Sequence, residues 1–285
     1  MTGLIDSARK QWLLAHPFLA PVARFDEAVS CALAAVAPIP AAPVLAQPDW
    51  EAYLTDFQSG VPLLRSEAAG LDAAPAVAAQ LESLVSQLAA LEHLPEKIRL
   101  GCRALNEGFR ADRSRALQAA RWVLSGGDEG PLPDHPGLLR FLGWSAAIPV
   151  LEPVLTAFAE RRDEGRWGHG HCPACGAIPV MGWLVPGDGV RERQLACGCC
   201  GTRWSFQRIG CAYCGNSDSG RLSILESADE GGLRLDLCEE CKGYTKTWAG
   251  DGDPALLLAD WTTLHLDAIA LERGYQRKGV SLFEL

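Results

Sequence analysis

The chain lacks an excess of positive charge. Its 285 residues carry 26 Lys and Arg against 35 Asp and Glu, which gives a formal net charge of -9. Non-specific binding to nucleic acid or to an anionic membrane surface depends on a positive face, so this balance argues against both. With 48% hydrophobic and 21% charged residues the chain can bury a sizeable core, and its length leaves room for two domains.

The chain also lacks a long apolar run. The longest stretch, roughly residues 31–46, is interrupted by Pro38, Pro40 and Pro43 and is shorter than the ~20 residues of a membrane-spanning helix. Charged residues near the N-terminus leave no apolar core for a secretory signal. We therefore expect a cytoplasmic protein without membrane insertion, in which thiols stay reduced and clustered cysteines bind metal instead of forming disulfides.

Residues 1–165 are rich in Ala and Leu with helical spacing, and they predict an all-helical domain. The clearest apolar stripe consists of Val77, Leu81, Leu84, Val85, Leu88 and Leu91. Further helices are predicted at 26–37, 49–58, 96–109, 112–124 and 137–162. The last of these should bend or restart near Pro149 and Pro153, because proline deletes a backbone donor. No catalytic triad, phosphate-binding loop or dinucleotide fingerprint is found in the sequence.

Cysteine is the outlier, with 11 residues. Eight of them form four C-x-x-C pairs, Cys172/Cys175, Cys197/Cys200, Cys211/Cys214 and Cys238/Cys241. Two thiolates on such a tight turn, or knuckle, can bind one ion, and two knuckles complete a tetrahedral site. Glycine, which readily adopts the left-handed conformation that closes such turns, follows three of the pairs, and Lys242 follows the fourth. The four pairs predict metal binding.

Near-equal spacing predicts that the pairs act in tandem. The first two pairs are separated by residues 176–196 and the last two by residues 215–237. The tandem interpretation places Cys172, Cys175, Cys197 and Cys200 in site 1, and Cys211, Cys214, Cys238 and Cys241 in site 2. Residues 166–209 and 210–250 would then each form one metal module. A cross-braced arrangement, first pair with third, is the alternative. Cys199 breaks the two-residue spacing and is interpreted as a spare small residue.

Four-cysteine sites suit zinc as a structural ion and iron as a rubredoxin-type centre. Four protein ligands leave no open coordination position, which disfavours hydrolysis by a metal-bound water. A zinc ribbon that binds nucleic acid and a rubredoxin-like electron-transfer protein are the alternative functions. The balance of nine basic and nine acidic residues over residues 166–250 disfavours the nucleic-acid binder.

A specific set of motifs runs from residue 172 to residue 277. It comprises Cys-Pro-Ala-Cys-Gly at 172–176 with Pro179-Val180, Cys-Gly-Cys-Cys at 197–200 with Thr202 and Trp204, Arg208 before Cys-Ala-Tyr-Cys at 211–214, Cys-Glu-Glu-Cys at 238–241 with Tyr244 and Lys246, and the tail residues Asp260, Leu264, Leu266, Asp267, Gly274, Tyr275 and Arg277. In this order and spacing the set resembles the FdhE family of formate dehydrogenase accessory, or maturation, proteins. Lys242, in place of a glycine, is a departure.

The resemblance implies a helical domain followed by two small rubredoxin-like modules, each with a four-cysteine iron site, so that two iron ions bind per chain. Zinc is the alternative. It further implies a cytoplasmic protein that is not an enzyme. Such a protein is needed for respiratory formate dehydrogenase to become active and binds the catalytic subunit of that enzyme before export.

Several residues outside the cysteine pairs are candidates for a role. Trp204, Tyr244 and Trp248 are candidates for shielding the sulfur atoms from water, with ordinary core burial as the alternative. Asp260 and Asp267 lie seven residues, two helical turns, apart and can face one side of the last helix. They are candidates for contact with a partner protein, and the alternative is a structural role in capping or in pairing with arginine.

The last segment, residues 251–285, is predicted to form a C-terminal helix and tail that pack back on the body. Its apolar stripe is predicted to consist of Leu257, Trp261, Leu264, Ala268 and Leu271.

Overall fold

The computed structural model describes residues 2–36, 48–127, 133–185, 191–227, 230–250 and 258–283. The chain divides into two compact units. The helical unit consists mainly of residues 22–162, and the cysteine-rich unit contains residues 1–21 and most of 163–281. A helical N-terminal region, a sheet that carries the cysteine pairs and a short C-terminal helix are therefore confirmed. The finer division at residues 165, 209 and 250 stays a prediction, and residues 251–257 fall outside the described part.

The helical unit is built around one central helix. Its helices are Ala20–Ala35, Trp50–Gln58, Ala74–Ala89, Glu96–Ala111, Ser114–Leu124 and Pro136–Arg161, with a 3-10 turn at Leu63–Arg65. The predicted stripe on Ala74–Ala89 is confirmed, because its first five residues are fully buried. That helix packs against the three helices that follow it. Asp49 begins Trp50–Gln58 as predicted, since its side chain accepts a hydrogen bond from the Ala52 N–H.

Of the bend or restart predicted near Pro149 and Pro153, the restart does not occur, because Pro136–Arg161 is a single helix of 26 residues. A bend at these prolines stays a prediction. Both prolines lie on its exposed face, where water can hydrate the carbonyl groups that lose their helical donors. Among the described residues this helix alone is long and apolar enough to cross a membrane, and 56% of its apolar window is buried. Such burial is typical of the core helix of a globular unit.

The cysteine-rich unit contains a mixed sheet. Its strands are β1 Met181–Val185, β2 Glu192–Ala196, β3 Arg203–Ser205, β4 Leu222–Glu226, β5 Leu233–Cys238, β6 Gly243–Trp248 and β7 Gln276–Arg277. Its helices are Thr2–Ala15, Glu164–Trp167 and Leu264–Glu272, with 3-10 turns at Pro17–Leu19, Ser219–Arg221 and Asp260–Thr263. The strand order is β3-β2-β1-β6-β5-β4, and β7 pairs with β6.

The sheet consists of two halves. Strands β1 to β3 form an antiparallel meander around the second cysteine pair, and β4 to β6 form another around the fourth. Parallel pairing of β1 with β6, in which Met181 lies opposite Lys246, joins the halves into one sheet. The two cysteine groups are therefore held on one hydrogen-bonded framework.

The core of this unit lies on one face of β5 and β6. Strand β5 alternates and buries Leu233, Leu235 and Leu237, as expected for a strand with one face in the core. These residues form a cluster with Tyr244 and Trp248 of β6 and with residues of the C-terminal helix. Strand β6 is buried along its whole length, which fits its central position between β1 and β5.

The predicted apolar stripe of the last helix is confirmed only in part, because Trp261 is buried whereas Ala268 and Leu271 are exposed. The first residue of that stripe, Leu257, lies outside the described part of the chain. The 3-10 turn Asp260–Thr263 precedes the α-helix, and because it has about three residues per turn it changes the angular phase of the helix that follows. Leu266 and Ala270 consequently face the core, whereas Leu271 is exposed.

Candidate metal centres

Three of the four knuckles share one backbone geometry. In each of them the N–H of the first cysteine donates to the carbonyl oxygen five residues later, at 2.8 or 2.9 Å. The glycine after the second cysteine has a positive φ, 80° at Gly176, 73° at Gly201 and 75° at Gly215. A left-handed residue at this position turns the chain back toward the first cysteine and brings the two thiols to one side.

The fourth knuckle reaches the same conformation without glycine. Lys242 follows Cys241 and has a φ of 53°, and among the described residues it is one of two non-glycine residues with a positive φ. Its side chain forms an exposed ion pair with Glu239. A lysine in the left-handed region costs about 1–2 kcal/mol relative to glycine. The departure at Lys242 therefore leaves the turn intact but makes it locally strained.

The eight cysteines group as two sets of four. The sulfur atoms of Cys172, Cys175, Cys197 and Cys200 lie within 4.8 Å of one another, as do those of Cys211, Cys214, Cys238 and Cys241. This grouping is the tandem one, first pair with second and third pair with fourth. All eleven cysteines lie in the described part of the chain, and none of them is in a disulfide.

The separations between sulfur atoms fit a tetrahedral ion. Cys172 and Cys200 are 3.5 Å apart at Sγ, and in the second set the separations are 3.7 Å for Cys211–Cys241 and 3.8 Å for Cys214–Cys238. Four sulfurs at about 2.3 Å from a central ion in tetrahedral geometry lie about 3.8 Å from one another. A covalent S–S bond would need about 2.05 Å. Each four-cysteine group is thus able to bind one metal ion.

Hydrogen bonds to sulfur support the thiolate form. In site 1 the backbone N–H groups of Cys199 and Cys200 donate to Cys197 Sγ at 3.3 and 3.5 Å. In site 2 Asn216 Nδ2 lies 3.9 Å from Cys238 Sγ. Donors of this kind stabilise the negative charge that a thiolate brings to a metal site. Cys199 itself is buried outside the ligand group, as predicted for a spare residue.

The thiols of site 2 differ in acidity. Burial raises the pKa of Cys211 to about 12. Burial also acts upward on Cys238, but the backbone N–H groups of Cys241 and Glu240 outweigh it and lower the pKa of Cys238 to about 7. Cys238 therefore loses its proton more readily than Cys211, and binding of a divalent ion must displace the proton of Cys211.

The two sites also differ in exposure. All four cysteines of site 1 are buried, with at most 5% of each residue exposed. In site 2 Cys214 is exposed and Cys241 is partly exposed, whereas Cys211 and Cys238 are buried. Site 1 is consequently enclosed by protein, and site 2 has one side open to solvent and to a reagent or partner.

The three aromatic candidates are all buried. Trp204 on β3 is fully buried, and its Nε1 donates to the His169 carbonyl oxygen at 3.1 Å. Tyr244 and Trp248 belong to the hydrophobic cluster between β5, β6 and the last helix. Ordinary burial accounts for these two residues. Shielding of the sulfurs by any of the three stays a prediction.

Asp260 and Asp267 lie together in a buried charge cluster. Lys246 Nζ is 2.6 Å from Asp260 Oδ1 and 3.0 Å from Asp267 Oδ2. Arg277 Nη2 is 2.5 Å and 3.1 Å from the same two oxygens. The Tyr244 hydroxyl donates to Asp267 at 2.6 Å. Two cations thus balance two carboxylates inside the protein.

This cluster gives both aspartates an internal role that includes the predicted pairing with arginine. Burial favours the neutral form of Asp260, but Lys246 and Arg277 hold the pKa of that carboxyl below its usual value. Contact of Asp260 or Asp267 with a partner protein stays a prediction. The role of Lys246 was missed from the sequence, where the only signal was a lysine within a β-branched and aromatic stretch.

Polar and close contacts hold the two cysteine groups together. Arg193 on β2 donates to the Gly210 carbonyl oxygen at 2.7 Å, just before the third knuckle. The Tyr213 hydroxyl, inside that knuckle, lies 3.3 Å from the Pro179 carbonyl oxygen. Gly170 approaches the third knuckle so closely that a Cβ placed there would lie 1.9 Å from the Ala212 carbonyl oxygen. No local sequence pattern indicates these contacts, because they join segments that are separated along the chain.

Comparison with known proteins agrees with this arrangement. The family model described as "FdhE, C-terminal domain" matches residues 209–283. The chain is 30% identical over 188 residues to a protein FdhE homolog of Stutzerimonas stutzeri, which covers 63% of this chain and 58% of that protein. It is 30% identical over 143 residues to a protein FdhE homolog of Aquifex aeolicus, covering 48% and 49%. It is 31% identical over 116 residues to protein FdhE of Escherichia coli K12, covering 40% and 37%.

A solved structure extends the similarity over most of the chain. The crystal structure of the FdhE protein from Pseudomonas aeruginosa superposes with a TM-score of 0.58 at 25% sequence identity, covering 90% of this chain and 85% of that chain. By sequence, in contrast, the matched regions span 58% or less of each of the three curated relatives. The sequence similarity is thus to part of each relative, and the structural similarity includes the helical unit.

Proposed function

We propose that this chain is a member of the FdhE family and an accessory protein for the maturation of formate dehydrogenase. In this proposal it acts in the cytoplasm and binds the catalytic subunit of the respiratory enzyme before export. It does so as a binding protein and not as an enzyme. The observation that carries the proposal is similarity to FdhE proteins together with two complete four-cysteine groups on one sheet.

The two sites are proposed to hold one iron ion each, in rubredoxin-like modules. Four sulfurs at tetrahedral separations suit ferrous or ferric iron and also zinc, which is the alternative. With four protein ligands neither ion has an open position for a substrate. The buried site 1 is suited to bracing the fold, whereas the exposed edge of site 2 at Cys214 is suited to contact with the client or to electron exchange.

The visible absorption spectrum of the protein, purified without oxygen, tests the identity of the ion. Ferric iron bound by four thiolates gives a red chromophore that dithionite bleaches. A colourless protein that contains two zinc ions per chain by elemental analysis would replace iron with zinc and leave the accessory function to be judged by the next experiment.

Deletion of the gene that encodes this chain tests the function. Formate dehydrogenase activity should be lost and should return with the wild-type chain. The Cys172→Ser and Cys211→Ser variants should fail to restore it, because each removes one ligand from a site. The matched control is Cys199→Ser, a buried cysteine outside both ligand groups, which should restore activity. Unchanged formate dehydrogenase activity in the deletion strain would refute the proposal.

Capture of the client tests the proposed partner directly. A tagged wild-type chain should retain the formate dehydrogenase catalytic subunit during purification, and the Cys211→Ser variant should retain less of it if the exposed side of site 2 takes part. Failure to retain the subunit under conditions where the chain keeps its metal would contradict the proposed partner. Robust binding to DNA or RNA at physiological salt would favour the zinc-ribbon alternative.

A further inference from the structure

A second type of ligand cluster lies in the cysteine-rich unit, away from the thiols. His16 follows the N-terminal helix, Glu230 precedes β5, and His265 lies at the start of the last helix. One ligand atom of each residue lies within 4.8 Å of the others. His16 Nε2 is 2.8 Å and His265 Nε2 is 2.6 Å from Glu230 Oε1. Two imidazoles therefore converge on a single carboxylate.

The hydrogen-bonding pattern of His16 makes this convergence unusual. Its Nδ1 lies 3.0 Å from the Trp12 carbonyl oxygen, which can only accept, so Nδ1 carries a proton. In the neutral ring Nε2 then has a lone pair, and that lone pair faces the oxygen of Glu230 at 2.8 Å. Two lone pairs repel at this distance unless a proton or a metal cation lies between them. A carbonyl on Nδ1 is the usual partner of a histidine that binds metal through Nε2.

Protonation alone leaves this cluster incomplete. One proton on His16 Nε2 would pair that ring with Glu230 Oε1 but would provide no partner for Glu230 Oε2. Protonation of both rings would place two cations face to face, since the His16 and His265 rings stack with centroids 5.1 Å apart. Within the described part of the chain, Glu230 Oε2 and both ring nitrogens of His265 are buried and lack a hydrogen bond of good geometry. Buried polar atoms without partners are rare and costly, and a bound ion is one of the standard explanations.

The three side chains of this cluster are largely shielded from solvent. The side chains of His16, Glu230 and His265 are 11%, 12% and 15% exposed. Trp12 stacks on His16 with ring centroids 4.1 Å apart, and Phe18 lies edge-on to both histidines. Neighbouring ligands on an ion at about 2.1 Å lie about 3.0 Å apart in octahedral and about 3.4 Å apart in tetrahedral geometry. The observed separations of 2.8 and 2.6 Å are shorter, so the two rings would move outward by a few tenths of an ångström to admit an ion.

We propose that His16, Glu230 and His265 form a third metal site, which binds a divalent transition-metal ion. Two imidazoles and one carboxylate suit zinc, iron and nickel, and three protein ligands leave room for water or an anionic oxygen donor. In contrast to the four-cysteine groups, this site has an open coordination position. It also joins the N-terminal segment to the last helix, and it does not depend on the proposed maturation function.

Zinc titration of the wild-type protein tests this site. Chain whose two cysteine sites are already filled with zinc is titrated with zinc chloride by calorimetry, and bound zinc is counted by elemental analysis. We expect one further zinc ion per chain, which should be lost in His265→Gln and in Glu230→Gln. The control is His93→Gln, which changes an exposed histidine of the helical unit and should keep the third zinc. Saturation at two zinc ions in the wild type overturns the proposal, as does a third ion that both variants at the site retain.

A second measurement on the wild type does not depend on the folding of any variant. Nitrogen NMR of the six histidine rings should show zinc-dependent shifts for two of them at the third equivalent. One of these two rings should carry its proton on Nδ1, as His16 does in the structure. Histidine signals that stay unchanged on addition of the third equivalent would also overturn the proposal.

Discussion

Replacement of Lys246 by methionine should strongly destabilise the cysteine-rich unit. Lys246 is 1% exposed and lies within 3.0 Å of a carboxylate oxygen on each of Asp260 and Asp267. Methionine has a similar volume and leaves no large cavity, so the effect comes from charge. The variant leaves two buried carboxylates with one cation, Arg277, and an uncompensated buried charge of this kind costs about 3–5 kcal/mol.

The test is urea denaturation of the metal-loaded protein, followed by tryptophan fluorescence and by metal release. The matched control, Lys278→Met, removes an exposed lysine and should change the free energy of unfolding by less than about 0.5 kcal/mol. The double variant Lys246→Met/Asp260→Asn removes one charge of each sign. Its free energy of unfolding should be about 1–3 kcal/mol higher than that of Lys246→Met. A Lys246→Met protein within about 1 kcal/mol of the wild type would refute this electrostatic explanation.

Four further predictions follow from individual contacts. The pKa of Asp260 is lowered in the folded protein, so its ionised form should stabilise the fold fully at neutral pH. This stabilisation should be lost as the pH falls below about 3.9, the pKa of an unperturbed aspartate. The free energies of unfolding of the wild type and of Asp260→Asn should therefore converge in acid. Gly170→Ala should lower the melting temperature and cost about 1–3 kcal/mol, because its Cβ would meet the backbone of Ala212; an unchanged melting temperature would show that the two segments are not in contact. Lys242→Gly should stabilise the fourth knuckle by up to about 1 kcal/mol in urea denaturation, since φ is 53° there, and a loss of stability would contradict the assigned strain. A chelator should remove the ion at the exposed Cys214 first, and equal rates of release from both sites would contradict the difference in burial.

The ligand groups were predictable because they depend on local chemistry. A C-x-x-C knuckle with a left-handed residue after it is specified within a few consecutive residues, and Gly176, Gly201 and Gly215 mark three of the four. The near-equal spacing within the first two and the last two pairs then indicated which two knuckles form each site. The central helix Ala74–Ala89 was likewise predictable, because its apolar residues recur with helical spacing within one continuous segment.

The remaining features depend on contacts between distant segments. The parallel pairing of β1 with β6 joins residues about 65 positions apart, and no local pattern predicts it. No strand was predicted over Gly243–Trp248, although Tyr244, Thr245 and Thr247 are good strand formers. Pro149 and Pro153 suggested a bend or restart, and the helix continues past both because its opposite face is buried. The burial of Lys246 depends on two carboxylates, those of Asp260 and Asp267, that come later in the chain.

X-ray absorption of the anaerobically purified chain tests the central claim most directly, because it reports the atoms bound to each ion. We predict that metal analysis gives two ions held by thiolates per chain, each with a shell of four sulfur atoms at about 2.3 Å. The Cys172→Ser variant should lose one of the two ions and keep the other with its four-sulfur shell. Fewer than two such ions in the wild type, a shell of mixed nitrogen and sulfur at both, or sulfurs joined to each other at about 2.05 Å would contradict the two four-cysteine centres.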